Sequence, residues 1–430
     1  MWELFGVLLF VVAILASIGL HEFGHFFPGK KFGVKITEYF VGFGPKIWSF
    51  RRGETEYGVK AIPFGGYVRL IGMFPPKPDG TMRPSSTGRL GMLIDQAREE
   101  SQAEVITEED RKRTFYNLTV PRKLTVMFGG PFMNLVIATV LFGVMFVGFG
   151  MPEPSLKVAN VTPCTPSATS VAGECVDGAA PSAATEAGIQ AGDELVAVGA
   201  QPVASWEEFT ETLAANGAGP TTVTVIRDGS EMLLPVTLDM VPRPVIVNDK
   251  DTGQVEERPF LGVGPEFVLV PQPITSVPGQ MWALTVRSAA AILTFPAKLV
   301  GVADAAFSDG ERDPEGPIGV VGASRISGEV AGADMPPSWK FAQLIGIIAS
   351  VNLFLFLFNL IPLLPLDGGH IAGALYEGAR RQLARLRGRP DPGPVDVAKA
   401  LPVAYAVAGT LIVVSVLLLY ADIVSPVRLT

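Results

Sequence analysis

Four stretches of this 430-residue chain are long and apolar enough to cross a bilayer, and no other feature restricts its fold so severely. They fall at about residues 3–26, 124–150, 339–364 and 402–423, and a crossing helix takes roughly 20 residues. In hydrocarbon every backbone polar group must be paired within its own segment, so each stretch is read as an α-helix. Composition agrees, since 48% of residues are hydrophobic, 18% are charged and the mean hydropathy is +0.36. That is too apolar for an ordinary soluble multidomain protein. A net charge of -8 leaves no basic face to neutralise phosphates, so no nucleic-acid partner is expected.

The loops between the spans set an orientation. Lys30, Lys31, Arg51, Arg52, Arg111, Lys112, Arg113, Arg122 and Lys123 lie between the first two spans, and Arg380, Arg381, Arg385, Arg387 and Arg389 between the last two. Loops rich in Lys and Arg stay cytoplasmic. Residues 151–338, acidic on balance, are therefore expected outside together with both termini. The first segment opens Met1-Trp2-Glu3-Leu4 without the basic region of a cleaved signal peptide, so it is read as a retained span.

Residues 4–20 carry no charge, and the next five are His21-Glu22-Phe23-Gly24-His25. Ionisable groups at membrane depth are costly and usually functional. On a helix, histidines at i and i+4 share a face with Glu22 between them, a spacing that suits two imidazole zinc ligands and one general base. A catalytic zinc then lacks one protein ligand of the usual three. The third span ends in Asn359-Leu360-Ile361-Pro362-Leu363-Leu364-Pro365-Leu366-Asp367-Gly368-Gly369-His370. Spans one and three run in the same direction, so parity brings Asp367 to the depth of His21 and His25. Pro362 and Pro365 break the helix, and irregular backbone at this depth is tolerated only around a protein-lined or wet cavity. Zn²⁺ held by His21, His25 and Asp367, with Glu22 as base, is the expectation; a plain loop cap before Gly-Gly is the other reading of Asp367. His370 is placed beside the site in a supporting role.

The HExxH sequence in one span, Asn-x-x-Pro-x-x-Pro-Leu-Asp-Gly-Gly in a later one and a soluble insert between them resemble the site-2 protease family of intramembrane zinc metalloproteases, in its bacterial RseP-like branch. Val41-Gly42-Phe43-Gly44-Pro45 and Ile62-Pro63-Phe64-Gly65-Gly66-Tyr67-Val68 resemble its membrane re-entrant β element. Gly129-Gly130-Pro131-Phe132-Met133-Asn134 resembles the Gly-Pro-x-x-Asn start of its second span, and Gly316-Pro317-Ile318-Gly319 a stretch before its third. The resemblance implies a multi-pass endopeptidase of the bacterial inner or plasma membrane. Its substrates would be single-span membrane proteins such as anti-sigma factors, cut within the bilayer. By the same resemblance Asn359 holds the substrate or stabilises the oxyanion, and Asn352 is a second candidate for that role.

Residues 35–70 alternate β-prone runs with turn residues, including Arg52-Gly53 at a hairpin tip. An edge strand there suits an extended substrate, while a hairpin that only packs on the helices is the alternative. In the insert, Ala187-Gly188-Ile189-Gln190-Ala191-Gly192-Asp193-Glu194-Leu195 resembles a segment of bacterial PDZ domains, which implies one such domain at about 155–241. Ser205 with Glu208 reads as a capping box, Trp206, Phe209 and Leu213 as one helical face, and Asp228-Gly229 as a turn. Peptide binding and a spacer role both remain open for it. Cys164 and Cys175 sit in an oxidising compartment on this reading, where a disulfide is favoured over two free thiols.

The expected fold is thus a polytopic α-helical membrane protein of four transmembrane helices, with a re-entrant β-hairpin and an extracytoplasmic α/β PDZ domain. Residues 1–72 hold the first span and the β element, 73–123 a cytoplasmic loop with a partly disordered insertion at Pro75 to Asn117, and 124–150 the second span. After the PDZ domain, 242–338 form an external linker with an interfacial helix at Trp282 to Val302; 339–370, 371–401 and 402–423 follow as span, cytoplasmic loop and span. Two other functional classes compete with the protease. A catalytically silent PDZ-containing membrane scaffold has no need of Glu22 beside two histidines and Asp367, and a zinc transporter would spread its ligands along a path.

Overall fold

The computed structural model describes residues 1–75, 107–165, 175, 179–247, 250–308, 310, 312–314 and 316–427, so most of the insertion expected at 75–117 lies outside the described residues. The chain divides into two compact units, Met1–Phe149 with Gln272–Thr430, and Gly150–Pro271.

The first unit begins with α1 (Trp2–Lys31), an apolar helix whose last turn carries Lys30 and Lys31 against the negative end of its dipole. Gly33, at φ 82, turns the chain out of it. The strands β1 (Ile36–Arg52) and β2 (Thr55–Leu70) follow, and their register is bent. Residues 46–52 pair with 55–60 across a tip at Gly53, while 36–43 pair with 62–70 and also lie alongside 56–59. Among the described residues, 62–70 pair on one side only. Lys30 and Arg113 both bond Glu54 at the tip, and Arg113 holds that carboxyl down at about 2. A second long helix, α2 (Val120–Gly143), continues through a π-helical turn to Phe149. It approaches α1 closely enough that a Cβ at Gly24 would stand 2.1 Å from the Gly129 carbonyl oxygen. Small residues are what allow two helix backbones to meet this way in a membrane.

The second unit is a seven-stranded sheet. Its strands are β3 (Met151–Val161), β4 (Glu194–Val198), β5 (Gln201–Pro202), β6 (Gly219–Arg227), β7 (Ser230–Val247), β8 (Lys250–Phe260) and β9 (Val263–Val270), in the order β8-β7-β6-β4-β3-β9 with β5 on β4. One helix, α3 (Trp206–Asn216), lies between β5 and β6 in the chain. Ser205 Oγ caps it by accepting from Glu208 N, but the Glu208 carboxylate accepts from Ala204 N, one residue beyond the reciprocal bond of a capping box. Phe209 and Leu213 enter the core beside Leu195, Val223, Val225 and Leu238, and burying Phe209 contributes about 2–3 kcal/mol. Asp228 and Gly229, both at positive φ, form the two-residue turn joining β6 to β7. The unit runs past the expected 155–241, because β9 pairs with β3 and Leu261 joins the same core. Cys164 and Cys175 are disulfide-bonded.

The first unit resumes with α4 (Val277–Phe307), α5 (Val320–Gly332), α6 (Pro337–Asn359), α7 (Asp367–Leu386) and α8 (Leu401–Val424). Among the described residues five helices are long and apolar enough to cross a membrane, one more than the four expected, and the added one is α4 with the turn before it. Gln272 N bonds Phe146 O at the close of α2, while Val302 and Ala306 pack on Leu418 and Ala421 at the close of α8. Asp422 of α8 accepts from Gly319 N and Gly322 N at the start of α5. Farther along α5, a Cβ at Gly328 would meet Glu3 of α1. α5 thereby links the close of α8 to the start of α1.

Candidate metal centre

Three atoms converge where α1, α2 and α7 meet. His21 Nε2 and His25 Nε2 are 3.3 Å apart, and each faces Asp367 Oδ2, at 3.3 and 3.4 Å respectively. The histidines owe their common face to helical spacing in α1. Asp367 arrives because α6 stops at Asn359, residues 360–366 turn back without helix, and α7 opens with Asp367 itself. Gly368 and Gly369 make that turn possible, since a Cβ at either would stand within 2.6 Å of backbone atoms of residues 360–364.

With both imidazoles neutral, hydrogen bonding does not account for the donor atoms. His25 Nδ1–H donates to the Val126 carbonyl at 2.8 Å, which puts the lone pair of neutral imidazole on Nε2. That lone pair faces a carboxylate oxygen, an acceptor against an acceptor. Asp367 Oδ2 and His21 Nδ1 are buried without a hydrogen-bond partner. A tetrahedral zinc with ligands at about 2.0–2.1 Å needs donors about 3.3–3.4 Å from one another. The observed triangle has that size, so the residues fit the ion. Among the described residues this is the one cluster of three His, Cys, Asp or Glu side chains able to hold a metal.

Glu22 is buried beside the cluster at 8% exposure. A Cβ at Gly66 would stand 2.9 Å from Glu22 Cγ. The unpaired edge at 62–70 therefore runs past the would-be base. Tyr39 Oη–H donates to the Gly19 carbonyl at 2.5 Å and docks the sheet on α1. On the other side, Gly130 of α2 is the floor under both imidazoles, since a Cβ there would stand 2.2 Å from His25 Nε2 and 2.8 Å from His21 Nε2.

The remaining sequence candidates are not among the three donor residues. Asn359 is the partly exposed last residue of α6. Asn352 is fully buried between helices, with Nδ2 donating to Ser17 Oγ at 3.0 Å and to Ile348 O at 2.9 Å, and Oδ1 without a partner. His370 sits one turn into α7 and is outside the donor cluster. The sequence reading missed the Val126 carbonyl that orients His25, and it read Gly130 only as part of a resemblance. A pair of glycines inside a membrane helix was the available signal, because each is disfavoured there unless something must come close.

The sequence profile of Peptidase family M50 matches residues 9–390. The chain belongs to Peptidase family M50. Zinc metalloprotease Rip1 of Mycobacterium tuberculosis is 35% identical over 436 residues, covering 99% of this chain and 98% of that protein. Zinc metalloprotease Rip1 of Mycolicibacterium smegmatis is 35% identical over 441 residues with the same coverage. As an M50 member the chain is a zinc metalloprotease, and its apolar helices make it a multi-pass membrane protein.

Proposed function

We propose that the chain is an intramembrane endopeptidase that hydrolyses peptide bonds within the transmembrane segments of single-span membrane proteins, anti-sigma factors among them. The observation that carries this reading is the cluster of His21, His25 and Asp367 beside a buried Glu22 and an open strand edge. His21, His25 and Asp367 hold the zinc, which when bound polarises the scissile carbonyl and lowers the pKa of water. Glu22 takes a proton from the attacking water and returns it to the leaving amine. A helical substrate hides its carbonyls in its own hydrogen bonds; residues 62–70 supply an edge on which an unwound segment can pair, with its scissile bond passing Glu22. Asn359, at the end of α6, is proposed to hold the substrate or its oxyanion, and Asn352, whose Oδ1 is unpaired, is the second candidate.

Four helices cross the membrane on this reading and α4 lies along its outer surface, supported by the bond from Gln272, just before α4, to Phe146 at the close of α2 and by the packing of Val302 and Ala306 on the close of α8. The unit Gly150–Pro271, read as a single PDZ domain, is then outside the inner or plasma membrane. Mass-spectrometric mapping of the products of a tagged single-span substrate tests the function. Cuts inside the apolar segment are expected, and cuts confined to its soluble flanks would contradict an intramembrane enzyme.

A further inference from the structure

Lys123 and Glu377 lie 254 positions apart in the chain and form a buried ion pair, with side chains 6% and 3% exposed. Lys123 Nζ donates to both carboxylate oxygens, at 3.0 and 2.8 Å. Arg381 adds a contact to Oε1 at 3.1 Å, and Val395 N donates to Oε2 at 3.2 Å. Every acceptor position of Glu377 is engaged. Stability alone does not account for such a pair, since two apolar side chains of similar volume hold helices together as well or better. What a buried, multiply bonded pair adds is a fixed register.

We propose that Lys123 and Glu377 are positioning residues of the metal centre, setting where α7 delivers Asp367. The proposal rests on the zinc assignment made above. Asp367 is the first residue of α7 and follows the non-helical stretch 360–366, so its place depends on how α7 sits against its neighbours. Glu377 is ten residues farther on, roughly 15 Å along the same rigid helix. Its partner belongs to α2, the helix that also fixes the histidines. Three residues after Lys123, the Val126 carbonyl orients His25; four residues beyond that, Gly130 touches both imidazoles. Gly378 packs against Val120 at the same crossing, where a Cβ would stand 3.2 Å from the valine side chain. One helix thus references all three ligands, two by direct contact and the third through the ion pair. Metal ligation tolerates errors of only about 0.2 Å, which sliding apolar contacts do not guarantee.

The test uses full-length protein in detergent. Zinc release to a chelator and the ligand-field spectrum of the Co²⁺-substituted protein are compared for wild type, Glu377→Gln, Lys123→Met and the apolar pair Lys123→Met/Glu377→Leu. Asp422→Asn, which weakens another buried ion pair, Arg312 with Asp422 at the opposite end of the helices, is the stability control. We expect zinc release to rise at least tenfold and the cobalt bands to change in all three Lys123/Glu377 variants. The apolar pair is expected to melt like wild type and still to release zinc faster, and Asp422→Asn to lower the melting temperature with wild-type release. Wild-type release and spectrum in Glu377→Gln would overturn the inference, as would equally fast release in Asp422→Asn. A wild-type protein that binds no zinc would overturn the metal assignment itself.

Discussion

Two aspartates, Asp193 in the β unit and Asp367 in the helical unit, each hold carboxylate oxygen away from water, and their surroundings are opposite. Asp193 is fully buried and saturated, with Arg227 Nε and Nη2 donating at 2.7 Å each and Gln190 N at 2.9 Å. The Arg227 guanidinium holds its carboxyl below the ordinary carboxylate range. Asp367 Oδ2 has two imidazole nitrogens within 3.4 Å and no hydrogen-bond partner. The Asp367 side chain is 19% exposed, but its Oδ2 is as buried as the oxygens of Asp193, so burial of the oxygen distinguishes nothing. A carboxylate whose donors are all in place supports a fold, whereas one facing only other acceptors is arranged for a cation.

If that contrast is right, the same substitution has different consequences at the two positions. Asp367→Ala removes one of three ligands, so zinc content measured by atomic absorption falls to about a tenth or less and proteolysis is lost. Glu22→Gln separates binding from chemistry: zinc stays near stoichiometric while kcat drops roughly 10²- to 10⁴-fold in single-turnover cleavage. Gly130→Ala pushes a methyl into the imidazoles and weakens zinc affinity about 10- to 100-fold in chelator competition, without touching a ligand. Asp193→Asn leaves zinc and chemistry alone and destabilises the β unit by about 2 kcal/mol, read by limited proteolysis of 150–271, since Arg227 is partly exposed and can rehydrate.

The last effect has a pH signature. Because the folded carboxyl of Asp193 titrates below its unfolded value, its contribution is complete above the ordinary carboxylate range, about 4, and is lost as pH falls through the folded value. Wild type and Asp193→Asn should therefore differ at pH 7 and converge in strong acid. A difference that persists unchanged to low pH would mean that Asp193 acts through packing and not through charge.

How legible this was in the sequence depended on the range over which each constraint acts. His21, Glu22 and His25 were readable because helical spacing alone puts them together. Asp367 was readable because spans of equal direction bring their ends to equal depth. The Asp228-Gly229 turn was readable from local backbone preference. Lys123 was misjudged by its neighbourhood: beside Arg122 it reads as one more cytoplasmic flanking charge, and only its pairing with Glu377 in a distant helix reveals a buried role. Strands β8 and β9 were hidden for a similar reason, since their place is set by pairing with β7 and β3 and not by a strong alternation of their own. The course of α4 was not legible, since its length and apolarity fit either a span or a surface helix.

Cleavage of a tagged single-span substrate by purified wild type and Glu22→Gln, each assayed with and without a zinc chelator, tests the central claim most directly. The account predicts cleavage by wild type alone, abolished by chelation and restored by added zinc, with Glu22→Gln inactive although it retains the metal. Cleavage by Glu22→Gln at the wild-type rate, or wild-type cleavage indifferent to zinc removal, would contradict it.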